Sequence, residues 1–97
     1  MEIFLAKHQV IQMINSYPHP NWIWIDIWEI SCNTIQVVIT VNEEEYCHLG
    51  QSKVIRLCSA QTNNLNDISE LKNYAKLIVR MLRKHFPDSE VHSRLYY

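Results

Sequence analysis

The fold of this chain turns on one stretch, "NWIWIDIWEISCNTIQVVITV", residues 21–41. Trp22 to Ile30 alternates and is rich in aromatic and β-branched residues, which fit a pleated, half-buried surface, so it predicts a strand. Thr34 to Val41 predicts a second, with Ile35, Val37, Ile39 and Val41 apolar and the intervening positions mostly polar. If Ser31, Cys32 and Asn33 form a three-residue hairpin loop, Asn33 can supply the left-handed position such loops require. That register pairs Ile27 with Val37, Ile25 with Ile39, and Ile23 with Val41. The opposite face pairs Trp28 with Gln36, Asp26 with Val38, and Trp24 with Thr40. A two-residue loop would reverse the parity and bring Asp26 inside without an evident partner. Burying that carboxylate alone costs several kcal/mol or forces its protonation. The three-residue loop is therefore expected, with isoleucines and valines in the core and the tryptophans facing outward.

The flanking segments follow from periodicity. Met1 to about Tyr17 predicts a helix, with Ile3, Lys7, Val10, Ile11 and Ile14 at helical spacing and Phe4 and Met13 widening the apolar stripe. Pro18 and Pro20 stop it. "NEEEY", from Asn42, is a charged turn, followed by a short strand at Tyr46 to Leu49, a turn at Gly50 and a strand at Lys53 to Ser59. "AQTNNLN" is a polar loop. Asp67 with Glu70 resembles a capping box, opening a second helix that runs to about Phe86 with Leu71, Ala75, Ile78, Leu82 and Phe86 on its buried stripe. Pro87 ends it, and "EVHSRLYY" is the candidate for a final edge strand. The expected fold is α+β, a single domain over residues 1–97. It has an antiparallel sheet of three to four strands with both helices on the isoleucine face.

Composition narrows the function. The chain has 97 residues, 47% hydrophobic, with one glycine and a formal charge of -1, which describes a packed globule with no global field toward nucleic acid or anionic membrane. No apolar run approaches the roughly 20 residues of a membrane span. The first residues lack the pattern of a signal peptide, so a cytoplasmic location is expected. Cys32, Cys47 and Cys58 lack CxxC spacing and read as reduced structural thiols.

Two helices can cover one sheet face, and nothing in the sequence obviously covers the other. Trp22, Trp24 and Trp28 then form an aromatic row with Asp26 set into it, a composition suited to a partner-binding or self-association surface. Two alternatives stay open: the C-terminal Leu95, Tyr96 and Tyr97 fold over the row, or the sheet curls on itself. Glu43, Glu44 and Glu45 form an acidic knob that could rim the same contact. On the second helix Lys72, Lys76, Arg80, Arg83 and Lys84 share one face, a candidate phosphate ridge for RNA or DNA and equally an ordinary solvated face. The element order is also that of double-stranded RNA-binding domains, but "AQTNNLND" replaces the glycine-containing turn that precedes their lysine cluster. His8, His19, His48, His85 and His92 are scattered, so no metal site and no cofactor is expected. No nucleophile, carboxylate pair or phosphate-cradling loop appears, and an enzyme is not expected.

"NTIQVVITVNEEEYCHL", Asn33 to Leu49, is similar in pattern to the strand, acidic turn and tyrosine-led strand of certain small phage inhibitors, among them anti-CRISPR proteins. The likeness implies a non-enzymatic module that inhibits by steric binding to a nuclease complex, and the charge of -1 separates it from mimicry of DNA.

Overall fold

The computed structural model describes residues 1–17, 20, 22–42 and 53–97. The Asn42–Tyr46 turn beyond Asn42, the strand expected at Tyr46 to Leu49, the turn at Gly50 and the Glu43, Glu44 and Glu45 knob all lie outside the described residues. In chain order the elements are β1 (Glu2–Ile3), α1 (Lys7–Asn15), β2 (Trp22–Ser31), β3 (Thr34–Asn42), β4 (Lys53–Gln61), α2 (Leu65–His85) and β5 (Glu90–Arg94). The class is α+β, with the strands in the order β1-β4-β3-β2-β5.

The β2–β3 register is the expected one, with Ile23 opposite Val41, Ile25 opposite Ile39, Ile27 opposite Val37 and Trp28 opposite Gln36. The loop that sets it differs. Ser31 pairs with Thr34, so the turn itself is only Cys32–Asn33, and the shift between Glu29 and Ser31 inserts Ile30 as a bulge. One extra residue on one strand restores the parity that a two-residue turn would otherwise reverse. The turn is tied to the end of β4, where the Thr62 N–H donates to the Asn33 carbonyl at 2.9 Å.

Three further expectations are corrected. The first six residues are not helical: Glu2 and Ile3 pair with Ser59 and Cys58 of β4, and the Phe4 N–H donates to the Leu57 carbonyl at 2.8 Å. The helix starts at Lys7 because the Gln9 side-chain oxygen accepts the Ala6 N–H at 2.7 Å, satisfying a donor that has no intrahelical partner. Helix α2 opens earlier than the Asp67 capping box implied. Asn64 is its N-cap, with its side-chain oxygen accepting the Asp67 N–H at 3.2 Å. Asp67 falls in the first turn instead and pairs with the Met1 amino group at 3.0 Å.

The sheet is five-stranded and mixed, not three to four antiparallel strands. β5 runs parallel to β2 over Trp22–Asp26. The cause is α2: its 21 residues carry the chain back along the sheet, about 30 Å at 1.5 Å per residue, so the next strand runs in the direction of β4 and hence of β2.

The core forms on the isoleucine face as expected. Val10 and Ile14 of α1 and Leu71, Ala75, Ile78 and Leu82 of α2 pack with Ile23, Ile25, Ile35, Val37 and Ile39 in one buried cluster. A second bulge, between Val37 and Val38, adds Leu57 to that core beside Ile55 and Cys58. Burying each such side chain is worth roughly 1.5–3 kcal/mol. No helix among the described residues is long and apolar enough to cross a membrane.

Candidate binding face

The face of the sheet opposite the helices carries Trp22, Trp24, Asp26 and Trp28 on β2 and Gln36, Val38 and Thr40 on β3. The sequence placed these residues together correctly, but the tryptophans do not form a bare row. β5 lies beside them in a register that pairs Trp22 with Glu90, Trp24 with His92 and Asp26 with Arg94. Paired residues of neighbouring strands point to the same face, so three polar β5 side chains lie among the aromatics.

Each pair makes a specific contact. The Trp22 indole N–H donates to Glu90 Oε2 at 3.0 Å. The His92 ring stacks on Trp24 with centroids 4.4 Å apart and planes 22° apart, and its Nε2 lies 3.1 Å from the same Glu90 oxygen. The Arg94 guanidinium carbon sits 4.4 Å from the Trp24 ring centroid. A delocalised cation on an indole face is attracted by the ring quadrupole. Arg94 also grips Asp26 with two bonds, Nε to Oδ1 at 2.6 Å and Nη2 to Oδ2 at 2.9 Å.

Asp26 was expected to face solvent, and it does not. Its side chain is 7% exposed. A carboxylate can remain there because both its oxygens accept charge-assisted bonds from one planar fork. Those bonds hold the Arg94 guanidinium above its already high pKa, ahead of a smaller opposing effect of burial.

Beyond Arg94 the tryptophan face opens. Asp26, Ile27, Trp28, Arg94 and Tyr96 line a recess of about 410 Å³. Trp28 is 37% exposed and Tyr96 82%, so the aromatic walls of the recess are wet. The alternative in which the C-terminal residues fold over the row is met only in part. Tyr96 reaches the row beside Trp28 but stays exposed, as does Tyr97, whereas Leu95 packs against the core on the other face. Glu90 and Arg94 were not singled out from sequence, and His92 and Tyr96 were read only as a scattered histidine and as part of a possible cover. Their signal was present: they recur at every second position, the period of one strand face.

The basic face of α2 divides in two. Lys72 Nζ donates to the main-chain oxygen of Tyr97 at 2.7 Å and Arg83 Nη2 to the Val91 carbonyl at 3.2 Å, so these two side chains hold the segment around β5. Lys76, Arg80 and Lys84 remain exposed at four-residue steps. Among the described residues no three His, Cys, Asp or Glu side chains gather as a metal site would need. Compared with family models, curated proteins and solved structures, the chain matches none.

Proposed function

We propose that this chain is a non-enzymatic protein-binding module, a small inhibitor of the phage type that acts by steric binding to a nuclease complex. One observation carries the reading. The sheet face away from the helices holds a rigid Trp24–Arg94–Asp26 cluster beside the exposed Trp28 and Tyr96. Tryptophan, tyrosine and arginine are the side chains that dominate binding energy at protein interfaces, most of all where their geometry is fixed before the partner arrives. Trp24 and Asp26 anchor the cluster, Trp28 supplies contact area, and Trp22 is committed to Glu90.

The test is capture from host lysate on the tagged chain and on Trp28→Lys, each with and without nuclease treatment. A nuclease-family protein retained by the wild type, lost with Trp28→Lys and indifferent to nucleic-acid digestion supports the reading. Capture that depends on nucleic acid and survives the substitution would move the function to Lys76, Arg80 and Lys84. Retention of nothing but the chain itself would favour a homodimer built through the tryptophan face.

A further inference from the structure

β2 is longer than its neighbour on one side. β5 pairs with it only from Trp22 to Asp26, while β2 continues to Ser31. From Ile27 onward that edge has no strand neighbour among the described residues, and alternate residues there turn their N–H and C=O groups away from β3. The chain after β5 leaves the sheet rather than continuing along this edge. Leu95 packs on the core, and the bond from Lys72 to the Tyr97 main-chain oxygen draws the segment toward α2. Only the Tyr96 side chain returns, as a wall of the recess. Trp28, Glu29 and Ile30 are all exposed beside it.

We infer that this free edge of β2 takes an extended segment of a partner protein as an added strand in line with β5. The inference rests on the protein-binding reading and gives that partner a chemistry. The recess offers donors: both Asp26 oxygens are already engaged by Arg94, while Arg94 Nη1 and the Tyr96 hydroxyl are left to donate to the carbonyls of the incoming chain. Trp28 and Tyr96 form an apolar slot for one aromatic or long aliphatic side chain. Glu29 is exposed and makes no ion pair among the described residues. It lies on the other face of the strand from Trp28, so the residue next to the slotted one is basic. The segment therefore alternates a basic residue with an aromatic or aliphatic one.

Two other occupants fit less well. To clear β5, a second copy meets this edge in a register whose longest overlap sets Glu29 opposite Glu29, a destabilising like-charge pair. Single-stranded nucleic acid needs excess cations for its phosphates, and this face carries Arg56 and Arg94 against Glu2, Asp26 and Glu90.

The probe is a blocked peptide alternating lysine and phenylalanine, with a glutamate-for-lysine analogue as the charge control. Amide exchange of the full chain is followed residue by residue, with Ile30→Lys as the edge-blocking variant. Exchange slowed about tenfold at alternate residues of Ile27–Ile30, weaker for the glutamate analogue and abolished by Ile30→Lys, is the expected result. Protection confined to other elements, or none, overturns the edge inference. The protein-binding reading is judged separately: lysate capture lost with Trp28→Lys but kept by Ile30→Lys would uphold that reading while sinking the edge. Dimerisation that Ile30→Lys abolishes would also overturn it, in favour of the second copy.

Discussion

Arg94 and Asp26, 68 residues apart in sequence, close a two-bond ion pair across the parallel strands β5 and β2 at 2.6 and 2.9 Å. The pair is asymmetric in its burial. The Asp26 side chain is 7% exposed and that of Arg94 57%, so solvent screens the cation and not the anion. Removing the cation leaves a buried, uncompensated charge. Arg94→Ala is expected to cost about 2 kcal/mol of unfolding free energy, discounted from the usual range for a buried pair because Arg94 is half in water. Asp26→Asn combined with Arg94→Ala should cost less than Arg94→Ala alone. Urea unfolding of Arg94→Ala, Asp26→Asn and the double variant measures the coupling, and strict additivity would mean that the pair contributes nothing.

Trp24 and Trp28 sit four residues apart on one face, either side of Asp26, with different roles. Trp24 lies against His92 and Arg94, whereas Trp28 stands at the open recess. Trp24→Ala is expected to lower stability by about 2–3 kcal/mol and Trp28→Ala by less than about 1 kcal/mol. Thermal melts decide the order. Equal losses would show that β5 does not shelter Trp24.

Cys58 and Cys32 are expected to react very differently. Cys58 is buried in the core, and burial pushes its thiol up to about 11. Cys32 is exposed in the hairpin turn. In a Cys47→Ser background one thiol should modify rapidly at neutral pH and the other only on unfolding. The linkage has a definite sign. The folded-state pKa lies above the unfolded value of about 9, so the native state binds the extra proton. Stability is undiminished below pH 9 and falls as pH rises toward 11, by on the order of 1–2 kcal/mol. Tyr74 is raised too, by burial and then by Cys58, and steepens the same alkaline slope. Cys58→Val should flatten that slope between pH 9 and 11. An unchanged slope would place the titration elsewhere.

Ile30 offers a test of how the hairpin keeps its register. Deleting it lets the Ser31–Thr34 pair close directly onto Glu29–Ile35, an ordinary two-residue hairpin with every core pairing retained. The variant should fold with a loss below about 1 kcal/mol. Deleting Ile27 instead turns Ile23 and Ile25 toward the outer face and should abolish cooperative unfolding. Circular dichroism melts of the two deletions distinguish a register set by the strands from one set by the loop.

Much of this molecule was legible from the chain itself, because periodicity of two and of 3.6 is a local property. The alternation of Ile23, Ile25 and Ile27 against Trp24, Asp26 and Trp28 determined which face is core. The carboxylate at Asp26 chose the pairing register, although the reason was only half right. Asp26 is on the outer face as inferred, yet buried there, since its partner comes from a strand more than 60 residues downstream. Sequence reading could list Arg94 but had no means of placing it.

What tertiary structure alone decided is the neighbourhood of β2. Ile3 and Phe4 fit a helical stripe by spacing, but Ile3 backbone groups pair with β4, a non-local gain that outweighs weak helix propensity at a chain end. The direction of β5 follows from a 21-residue helix carrying the chain back across the sheet, and its short length leaves the far half of β2 uncovered. Patterning thus determined that these tryptophans share one face away from the core. Only the return of the chain through α2 decided that Trp24 is sheltered, Asp26 is paired and Trp28 is free, because contacts between distant segments depend on where the intervening element brings them.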